Sequence, residues 1–327
     1  MRIGFNPHKD EILTQSKYNH QVIIPVYIPN FDGYFAQSFD ILKWCLSSIF
    51  TTSHANTFIT IVNNGSCQEV AVFLTDLFQK NQIHELIHTT NIGKINSISK
   101  AISGHNFDFV TISDSDVLFL NDWQSQTYTV FSNFKKAGIV GLVPSIDLDF
   151  HFTSNLLFDY FFSSKITFSD IQNKKALQRF YTSIGRNATF LDNKTLKNLQ
   201  IHDTNGSAGI GSAHFVATYR GFLFDKTANF SPYKMGALSE TYLDEIAFGK
   251  GFWRLTTLDN FAYHLGNVTE DWMLSELDSL KVNNQMPISL CLPKTVSFFQ
   301  KLKSNLIFER ILTSSFSKKW FQSKINI

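Results

Sequence analysis

The sequence predicts an α/β fold with a mostly parallel central sheet flanked by helices. Three observations carry that expectation. Short apolar runs alternate with longer segments whose apolar residues recur at helical spacing. Clusters of Asn, Gly, Ser and Asp punctuate the ends of these runs. The segment lengths suit βαβ units, whose strands lie in parallel. With 327 residues, 43% of them hydrophobic, the chain can build a full core.

The elements follow in order. Residues 22–27 (VIIPVY) form an apolar run expected to be a buried strand. Residues 38–50 carry Phe39, Leu42, Leu46 and Ile49 at helical spacing. Residues 58–62 are a second strand, broken by Asn63-Asn64-Gly65. Ser66-Cys67-Gln68-Glu69 has the form of a capping box, opening a helix whose apolar face holds Val70, Phe73, Leu74, Leu77 and Phe78. A short strand over 86–88, a helix over 93–103, a strand over 107–112, a helix over 122–136 and a strand over 139–143 continue the alternation. In such sheets ligands bind beyond the carboxyl ends of the strands, where both Asn63-Asn64 and Asp114 fall. Residues 145–205 have no clean period and suit an insertion or a lid. Beyond them, 214–218 and 253–257 are extended and 241–250 is helical. No repeat or low-complexity linker divides the chain, so one continuous domain over 1–293 is expected.

Composition narrows the function. Charged residues are sparse and balanced, at a formal +2, unlike the basic excess of a nucleic-acid binder. Three scattered cysteines, Cys45, Cys67 and Cys291, imply neither a zinc site nor a disulfide framework. A cytoplasmic, reducing setting is expected. The N-terminal residues lack the apolar run of a signal peptide, and no stretch of about 18 uninterrupted apolar residues suggests a membrane span.

Asp114-Ser115-Asp116 carries the chemistry. Two carboxylates at i and i+2, leaving an apolar strand, can share a divalent cation and a ribose. Mg²⁺ and Mn²⁺ prefer oxygen ligands and bridge phosphates, and a diphosphate leaving group needs that neutralisation. The competing reading is a solvated surface turn. Asp147-Leu148-Asp149 repeats the pattern but follows Pro144 instead of running straight out of a strand, and ranks lower.

The ordered set VIIPVY, a strand ending in NNGS, then TTNIGKINSISKAI and FVTISDSDVLFL resembles the inverting GT-A glycosyltransferases of family two. The resemblance covers residues 20–145, with a weaker echo over 205–267. It implies a GT-A, Rossmann-like fold. Residues 20–145 would be its nucleotide-sugar half and 146–293 an irregular acceptor-side half. Pro25, Val26 and Tyr27 would line the base. Asn63 and Asn64 stand where the family has an acidic pair, so the base is open, with UDP weakly favoured. Asn91, Gly93 and Lys94 would lie near the base and diphosphate, Asp114 and Ser115 at the donor, and Asp116 on the metal, Mn²⁺ or Mg²⁺. His264, in Tyr263-His264-Leu265-Gly266-Asn267, would complete the metal shell. His214 would bind acceptor hydroxyls, or pack in the core.

Glu240-Thr241-Tyr242-Leu243-Asp244-Glu245 is the richest acidic cluster. The family has an acidic pair at a helix start here, one member of which deprotonates the acceptor. Asp244-Glu245 matches it in reverse order, so either could be the base; helix-start acids stabilised by the macrodipole are the competing reading. The reaction implied is sugar transfer from a nucleotide sugar to a saccharide or lipid-linked saccharide, with inversion, in glycan biosynthesis. From 294 to 327, seven Lys or Arg face one acid, Glu309, with aromatics interleaved. Such a segment either lies on an anionic membrane as a peripheral contact or packs on the domain. Two other function classes stay open: a HAD-like phosphatase using Asp114 and Asp116, and a non-catalytic nucleotide-sugar binder.

Overall fold

A strand buried on both faces needs apolar residues throughout, and the runs at 22–26 and 59–62 supply them. In the computed structural model the strands are β1 (His20–Val26), β2 (Thr57–Asn64), β3 (Glu85–Thr89), β4 (Phe109–Ser113), β5 (Val117–Phe119), β6 (Ala137–Gly141), β7 (Ile166–Asp170), β8 (Lys197–Asp203), β9 (Gly206–Ile210), β10 (Val216–Arg220), β11 (Trp253–Thr256) and β12 (Ala262–His264). The helices are α1 (Ser38–Thr52), α2 (Gln68–Gln79), α3 (Lys94–Ile102), α4 (Trp123–Asn133), α5 (Ser154–Asp159), α6 (Lys174–Ser183), α7 (Ala237–Gly249) and α8 (Asp271–Asp278). The structure describes residues 4–6, 8–12, 16–146, 150–160, 163–186, 196–224, 230–283, 293–294 and 296–297. Asp147-Leu148-Asp149, Cys291 and nearly all of the basic segment 294–327 lie outside them.

The large sheet runs β3-β2-β1-β4-β10-β6-β11-β9-β8-β7. The first four strands are parallel. Beyond β4 the sheet becomes mixed: β10 runs antiparallel to β4 and β6, β11 is parallel to β6, and β9, β8 and β7 are antiparallel. The aperiodic stretch 145–205 therefore contributes α5, β7, α6 and β8 to the body of the fold. Short edge strands with mixed faces leave no clean alternation to read.

Period-2 alternation divides the core. Val22, Ile24 and Val26 of β1 pack with Leu42 and Leu46 of α1 and Leu74 of α2. Ile23, between them, faces Ile98 of α3 and Leu243 and Ala247 of α7 on the other side. A third cluster joins Phe131 of α4 to Leu199, Ile210 and Leu255 on β8, β9 and β11.

Two local expectations change. Ser66 does not cap α2. Its hydroxyl accepts from the Ile28 N–H at 3.0 Å and donates to the Val26 carbonyl at 3.2 Å, tying the loop after β2 to the end of β1. The helix starts at Gln68 without a side-chain cap. Val26 is fully buried in the core, so of the three residues expected at a nucleotide base only Tyr27 is exposed, with Pro25 half-buried. Among the described residues no helix is long and apolar enough to cross a membrane.

Strand order positions the site. β1 is flanked by β2 on one side and β4 on the other, so the connections turn opposite ways and leave a crevice at their carboxyl ends. A separate ribbon of β5 and β12 projects there, pairing His264 with Val117.

The opposite, amino end of β1 is closed by a buried polar layer. The fully buried His20 ring bonds Thr111 Oγ1 at 2.6 Å through Nε2 and the Tyr128 hydroxyl through Nδ1. His54 Nε2 meets the same hydroxyl at 2.8 Å. Burial holds His20 well below the ordinary histidine range and His54 down to about 4. An unfolded histidine titrates near about 6.5. Between those values the unfolded chain binds more protons, so stability is intact above about 6.5 and falls as pH drops toward 4. Urea unfolding followed by tryptophan fluorescence should show a midpoint that declines across this window. His54→Asn should make the decline shallower, and an unchanged slope would contradict this account.

Candidate active site

The crevice is assembled from loops that the core strands end in. Asp114 follows β4 directly, and its N–H donates to the Phe215 carbonyl at 2.8 Å, which sets the loop against the start of β10. Asn63 and Asn64 end β2 but are largely occupied. Asn63 Oδ1 accepts from the Ser66 N–H at 3.0 Å, and its amide nitrogen lies 3.0 Å from His88 Nδ1. Asn64 Oδ1 accepts from the Ile92 N–H at 2.9 Å, pinning the segment that leads into α3. Asn91 Oδ1 accepts from the Gly93 N–H at 3.2 Å. Asn63 and Asn64 shape the loops through both halves of their amides, which a carboxylate could not do.

Gly93 immediately precedes α3 at φ +89°, and a Cβ there would stand 2.6 Å from the Tyr233 carbonyl oxygen. Only glycine permits that backbone and that approach. The Lys94 N–H donates to the Lys234 carbonyl at 2.9 Å, so the loop before α7 is seated on the start of α3. This contact delivers α7 to the crevice.

A chain of alternating charge results. The Lys94 ammonium lies 2.6 Å from Asp114 Oδ1 and 3.1 Å from Glu240 Oε1. Glu240 Oε2 lies 3.1 Å from His214 Nε2. His214 Nδ1 lies 3.3 Å from Asp244 Oδ2. Asp244 Oδ1 takes a 2.6 Å bond from the guanidinium of Arg254, which is almost wholly buried and also donates to the carbonyls of His151 and Ser212. Each member shifts its neighbour. Burial would lower Lys94, but Asp114 and Glu240 raise it well above the ordinary lysine range. Burial also opposes a charged His214, yet its bonds to Asp244 and Glu240 push it up to about 9. The bond from His214, against burial and with help from Lys94, holds Glu240 down at about 2. Burial would raise Asp244; the His151 ring 3.7 Å away, the bond from His214 and the Arg254 charge keep it well below the usual carboxylate range.

The expected residues are therefore only partly brought together. Lys94, Asp114, His214 and Asp244 join one cluster, and Ser115 sits half-buried beside it. Glu245 does not join: it is exposed. Glu240 and Asp244 are four apart and share a face of α7, whereas residue 245 is turned about 100° from 244. That spacing was available in the sequence and marks Glu240 as the acid that sequence reasoning left unassigned. Arg254 and His151 were missed as well, and neither carries a local signal.

Asp116 and His264 form a second group. The Leu265 N–H donates to the Asp116 carbonyl at 2.7 Å, which extends the β5–β12 ribbon and aligns the two side chains. His264 Nε2 lies 3.5 Å from Asp116 Oδ2, and His264 Nδ1 meets Ser183 Oγ at 3.0 Å. Asp116 Oδ1 is buried without a hydrogen-bond partner. Burial raises the Asp116 carboxyl above the ordinary range, and the neighbouring Asp114 charge adds to this. Among the described residues no group of three or more His, Cys, Asp or Glu side chains stands ready to hold a metal by itself.

No curated protein matches the chain. Among solved structures, S. aureus TarS 1–349 in complex with UDP-GlcNAc is similar at 12% identity and a TM-score of 0.46, over 81% of this chain and 62% of that one. Mannosyltransferase PcManGT from Pyrobaculum calidifontis, in complex with GDP-Man and Mn²⁺, is similar at 12% identity and a TM-score of 0.44, over 79% and 59%. GalNAc-T7 with UDP, GalNAc and Mn²⁺ is similar at 10% identity and a TM-score of 0.47, over 77% and 44%. This chain thus spans less than two thirds of the length of each of the three. The model of glycosyl transferase family 2 matches residues 22–192. That is just over half of the chain and includes Asp114-Ser115-Asp116 and the strands from β2 to β7. The chain belongs to glycosyl transferase family 2 and is a glycosyltransferase of the GT-A class.

Proposed function

We propose that the protein transfers a sugar from a nucleotide-sugar donor to a saccharide or lipid-linked saccharide acceptor, with inversion and with the help of Mn²⁺ or Mg²⁺. One observation carries this reading: at the carboxyl ends of the strands Asp114 and Glu240 are joined through Lys94, and Asp116, two residues on, is paired with His264. Tyr27 and Pro25, with the loops held by Asn63, Asn64 and Asn91, border the nucleotide end. Asp114 and Ser115 face the donor, and Lys94 the diphosphate.

Asp116 and His264 suit a hard divalent cation. Asp116 keeps one buried oxygen without a donor, and burying such a group uncompensated is costly. His264 is oriented from behind by Ser183, as metal-binding imidazoles are. Two protein ligands are enough where phosphates and water supply the rest. When bound, the cation neutralises the departing diphosphate.

The acceptor base is Glu240. In the transfer the acceptor oxygen bonds to the anomeric carbon as its bond to the diphosphate oxygen breaks. The nucleoside diphosphate leaves with the electron pair, and the acceptor proton passes to the Glu240 carboxylate. Asp244 is committed to buried Arg254 and serves His214 instead, and exposed Glu245 is out of reach. A single base without a protein nucleophile leads to inversion.

Three measurements test the reading. Asp116→Ala should abolish the extra thermal stabilisation that Mn²⁺ adds to a nucleotide sugar, because a ligand of the native state alone raises the melting temperature. Unchanged metal-dependent stabilisation would refute the metal assignment. Glu240→Gln should lower transfer by about 10²–10⁴ without weakening donor binding, while Glu245→Gln leaves it near normal. If the two variants behave alike, the base is misassigned. An α-linked donor should yield a β-linked product by NMR coupling, and retention would rule out the single displacement.

A further inference from the structure

A general base works best when its proton affinity is close to the working pH. Glu240 stands far from that state. It is bonded to Lys94 at 3.1 Å and to His214 at 3.1 Å, and its carboxyl is held at about 2. One of these two cations must release it before it can take a proton.

The two cations are held differently. His214 is fixed at both ring nitrogens, to Glu240 and to Asp244, and Asp244 is anchored by buried Arg254. Among the described residues Lys94 has no comparable anchor behind it. Its ammonium is divided between Glu240 and Asp114, at the end of a long flexible stem on the first residue of α3. The charged groups around Glu240 are Lys94 from α3, His214 from the loop before β10, Asp114 from the end of β4 through Lys94, and Asp244 on its own helix through His214. Asp114, Glu240 and Asp244 balance Lys94, His214 and Arg254. A diphosphate arriving beside Asp114 upsets that balance at one end, and the cation able to follow it is Lys94.

We infer that Lys94 couples the two halves of the site: its ammonium masks Glu240 in the free enzyme, and an arriving nucleoside diphosphate draws it away and unmasks the base. The inference rests on the donor and base assignments above. It makes Lys94 a positioning residue for the base and orders the reaction, donor before acceptor proton transfer.

Coupling between two groups is reciprocal. If Glu240 holds Lys94 back, removing that hold must strengthen diphosphate binding. The experiment is calorimetric titration of UDP and of GDP, with Mg²⁺, into the wild type, E240Q, K94M and K94M/E240Q. E240Q should tighten binding about 5–20-fold in the wild-type background, within the usual range of coupling between sites, and by less than about twofold in the K94M background. An equal gain in both backgrounds would mean that Glu240 acts by long-range repulsion alone, and it overturns the inference. So does an E240Q variant that binds no more tightly than wild type. If K94M fails to fold, the ¹³C resonance of the Glu240 carboxyl, assigned by its loss in E240Q, provides a second reading. It should titrate at higher pH with nucleotide and Mg²⁺ bound than in the free protein, and an unmoved titration overturns the coupling. If the wild type binds neither nucleotide, the donor assignment falls and the inference falls with it.

Discussion

A buried guanidinium cannot shed its proton. Arg254 is 1% exposed in β11, so a carboxylate must come to it, and Asp244 does, at 2.6 Å. Asp244 is then fixed in its ionised form and in turn holds an imidazolium at His214, which meets Glu240. Lys94 and Asp114 complete the line. Breaking a buried ion pair by removing one partner costs about 3–5 kcal/mol, because the remaining charge is left uncompensated. The geometry of the crevice is therefore anchored from inside the sheet, through a residue that is itself almost wholly buried.

The two ends of β1 show opposite solutions to burying polar groups. At the amino end His20, His54, Thr111, Gln124 and Tyr128 form a neutral hydrogen-bonded layer, sealed from solvent. That end stays uncharged, and its histidines are held in the neutral form. At the carboxyl end the groups stand opposite partners of the other charge and are partly open, with Asp114 and Asp116 each about a quarter exposed. A crevice that must receive a charged donor needs groups already ionised and only partly desolvated. A structural layer needs neither.

Family membership decides between the chemistries that the Asp-Ser-Asp motif left open. It sets the phosphatase aside. The strand positions follow the same logic: Asp114 directly follows the fourth strand in chain order, beside the point where strand order reverses.

Much of this was legible in the residues. Strands β1, β2 and β4 and helices α1, α2 and α3 follow from apolar periodicity, because each buries a face whose repeat is written in the chain. The position of Asp114 at a strand end follows likewise. Where reading failed, a long-range contact had outbid a local one. Ser66 matches a capping box, but its hydroxyl is taken by the backbone of β1. Residues 145–205 look irregular because β7 and β8 have mixed faces, and the β7-β8-β9 ladder joins the rest of the sheet only where β9 meets β11. The acidic cluster at 240–245 was visible, but not which of its members face the crevice. That choice depends on the rotation of α7, set by packing Leu243 and Ala247 on the sheet and by Arg254 pulling on Asp244. The sequence alone determined the strand ends and their chemistry, since these rest on local patterning. The assignment of partners was left to the tertiary structure, because an ion pair between residues 94 and 240 exists only once two distant helices share one face of a sheet.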